Sequence, residues 1–509
     1  MKNTRMLTLT SGALLASVAA ICLSSCGGAT YSDQVLVSDD PTSLTKIVFF
    51  ECLGHANEGN LGKIVSAFNE KYAGKYEVEL SKVAGTYDAL HDAVNTKLTA
   101  GEVPALCMGY PDSFSVYMGK EIDDSNIYRL DNFIDDPTFG FTAEEKKDFV
   151  PEYLAEGQNY QFEGTWSLPM YKSTEIMYYN ECYFAGSNQQ NLAKFAANTE
   201  FAALNKAVTD KGANPTDESL KALKDWVKSH SGYAYELPTT WEDMIALAKQ
   251  MVADMKTENL ENIEFYPVGY DSDANLLISQ FAQRGIPFTV NDEASKADPT
   301  KHFVFDNDEA KAFVNTLVQN VKDKLLITKG VLGGSKYTNT YFTNLKSAMS
   351  IGSTGGSSYN VSSNFKVGLA PVPYAAGKKA QYIMQGPSIC FFNNSNDYVH
   401  KGSWLFYKML AETTNNTKLS LENSYDPIKN SCYETTEYKN FVAKHDSELK
   451  YDIPFHTQDL RDNYMTSPVF VGSSTARVEI GNVLQYICNS NFSTDEAFAK
   501  AMNSCRAAA

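Results

Sequence analysis

The hydrophobic pattern switches between two periods from residue 45 onward. Short β-rich runs at 46–50, 76–80 and 105–109 predict strands. Between these runs, apolar residues recur at helical spacing after Asn60 and again after Tyr87. Strand and helix therefore alternate, which predicts an α/β protein whose parallel sheet is covered by helices.

The same alternation resumes farther along the chain. Thr240, followed three residues later by Asp243, predicts the start of a helix. A polar stretch at 185–238 has no strand pattern and predicts a helical insertion. Further helices are predicted at 308–326 and around Trp404, and further strands at 175–179, 265–269, 347–352, 366–370 and 388–392.

Composition narrows the class of protein. Of 509 residues, 43% are hydrophobic and 21% charged, which are ordinary values for a folded soluble chain. At this length we expect two or more lobes rather than one small core. The formal net charge is −17, from 44 basic and 61 acidic residues. This excess of acid argues against a nucleic-acid partner, because neutralising phosphates requires a basic surface.

The first residues predict export and a lipid anchor. Lys2 and Arg5 precede an uncharged stretch at 6–23 that is too short and polar for a membrane span. The sequence Leu-Ser-Ser-Cys-Gly at 23–27 resembles the lipobox of bacterial lipoproteins. We therefore expect a signal peptide at 1–25, lipid on Cys26, a flexible tether at 26–44, and a protein anchored to the cell envelope outside the cytoplasm.

A search for catalytic motifs finds nothing specific. The sequence contains no H-E-x-x-H, no G-x-S-x-G and no G-x-x-x-x-G-K-[ST]. Its seven histidines are far apart, so it contains no local zinc motif. The sequence therefore supplies no catalytic residue, no metal site and no cofactor.

Seven segments in a fixed order and spacing stand out over most of 45–410. They are LGKIVSAFNEKY (61–72), LTAGEVPAL (98–106), GTWSLPMYKSTEIMYYNECYF (164–184), PTTWEDMIALA (238–248), YFTNLKSAMSIGSTGGS (341–357), VGLAPVP (367–373) and QGP (385–387). Together they resemble the extracellular solute-binding proteins of bacterial ABC importers, a family that includes the maltose- and glycerol-3-phosphate-binding components.

Within that family, the tail is similar to the glycerol-3-phosphate-binding branch. SSTARVEIGN at 473–482 resembles the branch's Arg before Gly-Asn, with one extra residue, and SYDPI at 424–428 resembles its Gly-Tyr-x-Pro-Ile turn. The sequence departs from the branch at 270–274, YDSDA, where the branch carries tryptophans that cover the ligand. A sugar or oligosaccharide is therefore as plausible a ligand as a glycerophosphate.

The resemblance implies a two-lobe, periplasmic-binding-protein-like fold of type II, with hinge strands and a cleft between the lobes. Residues 45–171 and 350–395 would form the first lobe, and 172–349 and 396–509 the second. Crossings between lobes would fall near 169–174, 349–353 and 392–396. A monomer would close on a small molecule without chemical change, and a membrane permease would recognise the closed form.

The resemblance also implies which residues contact the ligand. Asp88 would accept ligand hydroxyls, with a helix cap as its alternative role, and Arg477 would pair a phosphate or fix hydroxyls, with a structural ion pair as its alternative. Gly386 would allow close backbone approach, unless it only forms a turn. The full set is Asp88, Ser173, Thr174, Asp271, Ser353, Thr354, Gly355, Gly386, Tyr425 and Arg477.

Two other functions stay open at this point. A surface adhesion or interaction lipoprotein on the same scaffold would bind a macromolecule and transport nothing. A secreted carbohydrate-active enzyme is suggested by an aromatic content of 12% and by plentiful Asp and Glu. A small-ligand thermal shift separates the first from a transport protein, and release of sugar products identifies the second.

Overall fold

The computed structural model describes residues 34–54, 59–184, 198–209, 216, 218–219, 221–223, 225–226, 235–257, 263–334, 336–445 and 448–509. The predicted signal peptide, Cys26 and part of the predicted tether lie outside the described residues. So does most of the predicted insertion, of which the helix Thr199–Thr209 is described. No helix in the described part of the chain is long and apolar enough to cross a membrane.

Strands and helices alternate along the described residues. The strands are β1 (Thr45–Glu51), β2 (Tyr76–Lys82), β3 (Leu106–Gly109), β4 (Ser167–Pro169), β5 (Glu175–Asn180), β6 (Val268–Tyr270), β7 (Leu326–Thr328), β8 (Met349–Ser353), β9 (Val367–Ala370), β10 (Tyr382–Ile383), β11 (Ser388–Phe391) and β12 (Tyr464–Met465). The helices are α1 (Asn60–Lys71), α2 (Tyr87–Thr99), α3 (Pro111–Met118), α4 (Asp131–Ile134), α5 (Ala143–Asp148), α6 (Pro151–Glu156), α7 (Glu181–Phe184), α8 (Thr199–Thr209), α9 (Trp241–Thr257), α10 (Asp273–Arg284), α11 (Glu293–Ala297), α12 (Asp308–Lys322), α13 (Asn339–Thr343), α14 (Asp397–Leu410), α15 (Thr413–Glu422), α16 (Asn430–Tyr433), α17 (Thr436–Val442), α18 (Leu449–Thr457), α19 (Ser473–Ser490) and α20 (Thr494–Ala508).

The first lobe is built on a five-stranded sheet with strand order β2-β1-β3-β11-β4. Along β1, Ile47 and Phe49 are fully buried whereas Lys46 is exposed, so the strand buries one face against helices. Leu61 and Phe68 on α1 are buried at helical spacing. The predicted α/β start is confirmed, and the sheet is mixed because β11 runs antiparallel to both neighbours.

The second lobe has its own five-stranded sheet, in the order β7-β6-β8-β5-β9. β6 is parallel to β7 and β8, whereas β5 is antiparallel to β8 and β9. Its core is separate from that of the first lobe and is covered by α10, α12, α19 and α20, through residues such as Leu277, Val314, Ile480 and Phe498. Two sheets with two cores confirm the predicted two-lobe α/β architecture.

The chain passes between the lobes at 170–174 and 371–387, and a third time between α16, whose Ser431 bonds Asp148 of the first lobe, and α18, which packs on β9 of the second. The first passage agrees with the prediction, but the other two predicted crossings are wrong. Residues 349–353 form β8, which lies inside the second sheet between β5 and β6. Residues 392–396 lead into α14, whose Trp404 is fully buried in the first-lobe core.

The predicted lobe boundaries need the corresponding corrections. The prediction assigns residues 350–395 to the first lobe, yet β8 and β9 both belong to the second sheet. It assigns residues 396–422 to the second lobe, yet α14 and α15 pack on the first. An apolar strand can be recognised from its own composition. Which of the two sheets it joins depends on the strands with which it forms hydrogen bonds, and these are distant in the sequence.

Four short segments at 170–174, 382–387, 425–426 and 464–465 meet between the lobes and form the hinge. Lys172 pairs with Asp426, and Ser173 pairs with Gln385, each as an antiparallel bridge. β10 pairs in parallel with β12. Backbone hydrogen bonds thus tie all four segments together.

Candidate functional site

A cleft of about 1280 Å³ lies between the two lobes. On the first lobe it is bounded by the turns that follow β1, β2 and β3, at 52–54, 85–88 and Tyr110, and by 422–425 after α15. These turns come together because the carboxyl ends of parallel strands share one edge of the sheet. That edge is where open α/β sheets place their binding crevices.

The second lobe supplies the opposite wall of the cleft. Most of this wall is formed by residues that come after β8 and by residues at the start of α18. Its residues are Tyr337, Gly355, Ser357, Ser358, Tyr359, Val361, Ser362, Phe365, Lys366, Val367, Glu448, Leu449, Lys450 and Asp452. Because the two walls belong to different lobes, a molecule held here contacts both of them.

Tyrosines dominate the first-lobe wall. The rings of Tyr87 and Tyr110 meet edge to face with centroids 4.8 Å apart, and Tyr425 packs on Tyr171 at 4.5 Å. Burial raises the pKa of Tyr87, Tyr110 and Tyr425 above the usual value, so all three stay neutral hydroxyls at physiological pH.

Asp88 lies on this wall, in the first turn of α2. It is exposed, and the cap of the helix is Thr86, whose hydroxyl accepts the backbone N–H of Ala89 at 3.4 Å. The alternative role considered for Asp88, that of a helix cap, is therefore taken by another residue. Asp88 and its chain neighbour Tyr87 both line the cleft.

Gly355 and Tyr425 come from opposite lobes and touch each other. A Cβ atom on Gly355 would lie 2.6 Å from the Tyr425 ring and hydroxyl, closer than any side chain tolerates. Both residues line the cleft. Asp88, Gly355 and Tyr425 are thus the three predicted contact residues that the fold brings to the cleft.

Ser173, Thr174, Thr354 and Gly386 belong to the hinge region and do not line the cleft. Thr174 is fully buried; its hydroxyl donates to the Ile383 carbonyl at 2.9 Å, and its backbone N–H donates to the Thr354 hydroxyl at 3.3 Å. Ser173 exchanges backbone hydrogen bonds of 2.9 and 2.8 Å with Gln385. The contacts these residues make are with the chain itself.

Gly386 is explained by a close backbone approach within the hinge. Its φ is +90°, and an added Cβ would lie 2.7 Å from the Tyr171 carbonyl oxygen and 2.8 Å from the Lys172 Cα. Ser353 is the last residue of β8, and its carbonyl accepts the Tyr178 hydroxyl at 2.9 Å. The hinge accounts for Gly386 and the second sheet for Ser353, and neither residue lines the cleft.

Asp271 acts as an internal anchor in the second lobe. Its carboxylate accepts the backbone N–H of Thr338 at 2.8 Å and the Thr338 hydroxyl at 2.7 Å. Burial raises the pKa of Asp271, and these hydrogen bonds oppose the shift. Asp271 itself does not line the cleft. It fixes Thr338, and the preceding residue, Tyr337, does line the cleft.

Arg477 lies in a second, smaller cavity of about 60 Å³ that shares Tyr110 with the cleft. Its guanidinium donates a hydrogen bond to Asn275 and lies 3.8 Å from the Asp112 carboxylate. Asn275 in turn donates to the buried Glu175 at 2.7 Å. Arg477 is thus engaged in an ion pair and a hydrogen-bond network that join α3 of the first lobe to α10 and α19 of the second.

Charges on the cleft walls are mostly acidic. Among the described residues that line it, the acids are Asp88, Glu422, Glu448 and Asp452, and the bases are Lys366 and Lys450. Lys450 pairs with Glu448 at 3.0 Å. The cleft therefore lacks the excess of positive charge that a phosphate group requires. Nowhere in the described residues do three His, Cys, Asp or Glu side chains group as metal ligands.

Sequence reasoning missed the aromatic part of the cleft. Tyr87 was recognised only as part of a helix stripe, and Tyr110, Tyr337 and Tyr359 were not selected. One signal was available, since Tyr110 directly follows β3 at the carboxyl edge of the sheet. Tyr337 and Tyr359 follow no strand directly, and only the folded loop brings them to the cavity.

Comparison with known proteins agrees with this architecture. A family model described as bacterial extracellular solute-binding protein matches residues 63–445. No curated protein sequence matches the chain. Three similar solved structures share 12–14% sequence identity with the chain, so their likeness concerns the fold.

One similar structure is the cyclic alpha-maltosyl-1,6-maltose binding protein from Arthrobacter globiformis, with a TM-score of 0.61, 14% identity, and coverage of 91% of this chain and 98% of that one. UgpB from Mycobacterium tuberculosis in complex with glycerophosphocholine has a TM-score of 0.60, 14% identity, and coverage of 91% and 98%. The maltose/maltodextrin-binding domain from Bdellovibrio bacteriovorus bound to maltotriose has a TM-score of 0.60, 12% identity, and the same coverages.

Proposed function

Because this chain belongs to the bacterial extracellular solute-binding proteins, with the family model matched over residues 63–445, we propose that it is the binding subunit of an ABC importer for a sugar or oligosaccharide. It works outside the cytoplasm and passes its ligand to a membrane permease. The observation that carries the proposal is the cleft of about 1280 Å³ with one wall from each lobe.

Closure of the lobes is the proposed working step. A ligand on the first-lobe wall gains the contacts of the second-lobe wall only when the lobes are together. The closed state therefore gains free energy that the open state lacks, and the population shifts toward it. The ligand leaves unchanged, because binding involves no bond formation.

The chemistry of the walls favours a neutral polyhydroxylated ligand over a glycerophosphate. Tyr87, Tyr110 and Tyr425 present ring edges together with neutral hydroxyls, and Asp88 presents a hydrogen-bond acceptor. A phosphate would need an excess of cations, yet the four acids on the cleft walls outnumber the two lysines, and Arg477 lies in the smaller cavity, where it pairs with Asp112. Similar folds hold maltotriose and glycerophosphocholine, so both chemistries fit the scaffold.

Calorimetry on residues 27–509 tests this assignment. We expect saturable heat with one neutral sugar in a panel of mono- and oligosaccharides, and none with glycerol 3-phosphate or glycerophosphocholine. Mass spectrometry of ligand that co-purifies with the protein identifies the compound directly. A folded protein that ignores every sugar but binds a glycerophosphate would contradict the choice of ligand.

We also propose that lipid on Cys26 anchors the protein to the outer side of the membrane, next to its permease. The support is the sequence at 6–27, a short uncharged stretch that ends in the lipobox-like Leu-Ser-Ser-Cys-Gly. Metabolic labelling with an alkyne fatty acid tests it. Wild-type protein should carry the label and Cys26→Ser should not; a labelled Cys26→Ser protein would disprove the assignment.

A further inference from the structure

Three strongly exposed apolar side chains gather at the second-lobe rim of the cleft. Tyr359 is 72% exposed, Val361 58% and Tyr337 47%, and all three line the cavity. Among the described residues the large aromatic side chains with this much exposure are these two tyrosines and Phe455. Single exposed apolar residues are ordinary, but a group at one mouth marks a contact surface. We name Tyr337, Tyr359 and Val361 the rim platform.

The rim platform is held in place by the fold. The Tyr359 carbonyl accepts the Asn339 amide at 3.1 Å, which ties the turn Thr354–Asn360 to the start of α13. The Lys329 ammonium lies 4.0 Å from the centre of the Tyr337 ring. Asp271 fixes the neighbouring Thr338 through two hydrogen bonds. A surface whose backbone is already fixed loses little conformational entropy when a ligand covers it.

The two walls differ in chemistry. The first-lobe wall offers neutral tyrosine hydroxyls and the Asp88 carboxylate, whereas the rim platform offers two rings and an aliphatic side chain without charge. A cleft of about 1280 Å³ also exceeds the roughly 300–1,000 Å³ that encloses a drug-sized ligand. A single sugar unit is smaller than the ligands that fill this range, so the cleft has room for several units.

We propose that the rim platform is an outer subsite for the far units of an elongated, uncharged oligosaccharide. This inference rests on the sugar-binding function proposed above and adds the length of the ligand. One end of the chain hydrogen-bonds the wall at Tyr87, Asp88 and Tyr425. The following units lay their C–H faces on the Tyr359 and Tyr337 rings, which need no charge on the ligand.

Calorimetric titration with ladders of two to seven units tests the outer subsite. The probes are neutral oligosaccharides from α-glucan, β-glucan, xylan, arabinan and fructan. In the series that binds, we expect affinity to rise about tenfold between the shortest and the longer members. Tyr359→Ala should remove this gain while leaving affinity for the shortest binding member within about twofold of wild type.

Matched variants separate the rim platform from a general surface effect. Val361→Ser should weaken only the long members, whereas Val478→Ser changes a valine of equal exposure, 59% against 58%, outside the cleft and should leave every titration unchanged. Phe455→Ala, another exposed ring outside the cleft, is the control for Tyr359→Ala.

Two results would overturn the inference. Affinity that does not grow with chain length, or a Tyr359→Ala variant that weakens short and long members equally, would remove the outer subsite while leaving sugar binding intact. Absence of heat with every series would contradict the sugar-binding function itself, and the outer subsite with it. Equal thermal melting of wild type and variants confirms that the variants are folded.

Discussion

In the hinge, Lys172 and Thr174 are completely buried and bond other parts of the chain, whereas in the cleft Asp88 and Tyr359 are exposed and face the cavity. The Lys172 ammonium illustrates the hinge: it contacts the Glu156 carboxylate, the Ser388 hydroxyl at 2.9 Å and the Gly386 carbonyl at 3.2 Å. Both regions are rich in polar groups. A polar side chain whose hydrogen bonds are made within the protein stabilises the fold. A polar side chain that is exposed in the cleft is available to bind a ligand.

The contrast between hinge and cleft predicts different effects of substitutions in the two regions. Changes in the hinge should lower the free energy of unfolding, and changes in the cleft should lower ligand affinity with little effect on stability.

The strongest effect is expected at Gly386. Gly386→Ala places a Cβ 2.7 Å from the Tyr171 carbonyl oxygen at a φ of +90°, so backbone must move. We expect a loss of about 3 kcal/mol or more in the free energy of unfolding. The control is Gly377→Ala, where φ is +70° but no atom lies within 4 Å of the new Cβ. The free energy of unfolding of this control, measured by chemical denaturation, should fall by only about 1 kcal/mol. Equal losses for the two variants would show that the hinge is not tightly packed.

Asp426 gives the hinge a dependence on pH. Burial raises the pKa of its carboxyl to about 6, although Thr457 donates to it at 2.8 Å. The unfolded pKa is lower, so between about pH 4 and 6 the folded state binds more protons and stability falls as pH rises. Acidification from pH 7 to 5 should therefore stabilise wild type relative to Asp426→Asn.

With a folded pKa of about 6, the step from pH 7 to 5 should change this difference by about 1.3 kcal/mol, out of about 3 kcal/mol for the full shift of about two pKa units. Denaturation of both proteins at pH 7 and 5 measures it. Glu175, whose pKa burial raises to about 7, changes stability in the same direction but is present in both proteins and cancels. Parallel pH curves for wild type and Asp426→Asn would contradict the assignment.

In the cleft, Asp88→Asn keeps the shape of the side chain and removes its charge. A charged acceptor contributes more to a hydrogen bond than a neutral one, so we expect about tenfold weaker sugar binding at unchanged melting temperature. Asp92→Asn, one turn farther along α2 and outside the cleft, is the control and should bind normally. If both variants bind as wild type does, Asp88 does not contact the sugar.

The smallest effect on affinity is expected at Arg477. Its guanidinium pairs with Asp112 at 3.8 Å outside the cleft, so Arg477→Ala should change sugar affinity by less than about threefold. A phosphate-binding role would instead cost about 2–5 kcal/mol of binding free energy. Calorimetry with the identified ligand distinguishes the two values, and a loss in the larger range would place Arg477 in the binding site.

The sequence predicted the fold better than it predicted the site. Strand and helix patterns placed β1, α1, β2 and α2 to within a few residues, because burial of one face leaves a periodic record in each element. Membership of a sheet leaves no such record, which is why β8 and α14 were given to the wrong lobes.

For the site, Asp88, Gly355 and Tyr425 reach the cleft as predicted, but contact with a ligand stays a prediction for all three. Thr174 and Gly386 failed to reach it, since hinge and cleft both require small or hydroxyl-bearing residues near a strand end. Tyr359 could not be found, because its exposure depends on the loop Thr354–Asn360 and not on any local pattern.

The proposed function depends on closure of the two lobes around a bound sugar, and solution X-ray scattering detects that closure. The protein is compared without ligand and with a saturating amount of the sugar identified by calorimetry. We expect the radius of gyration to fall on ligand addition, because both walls are drawn onto the ligand. Full saturation by calorimetry with an unchanged scattering curve would contradict closure.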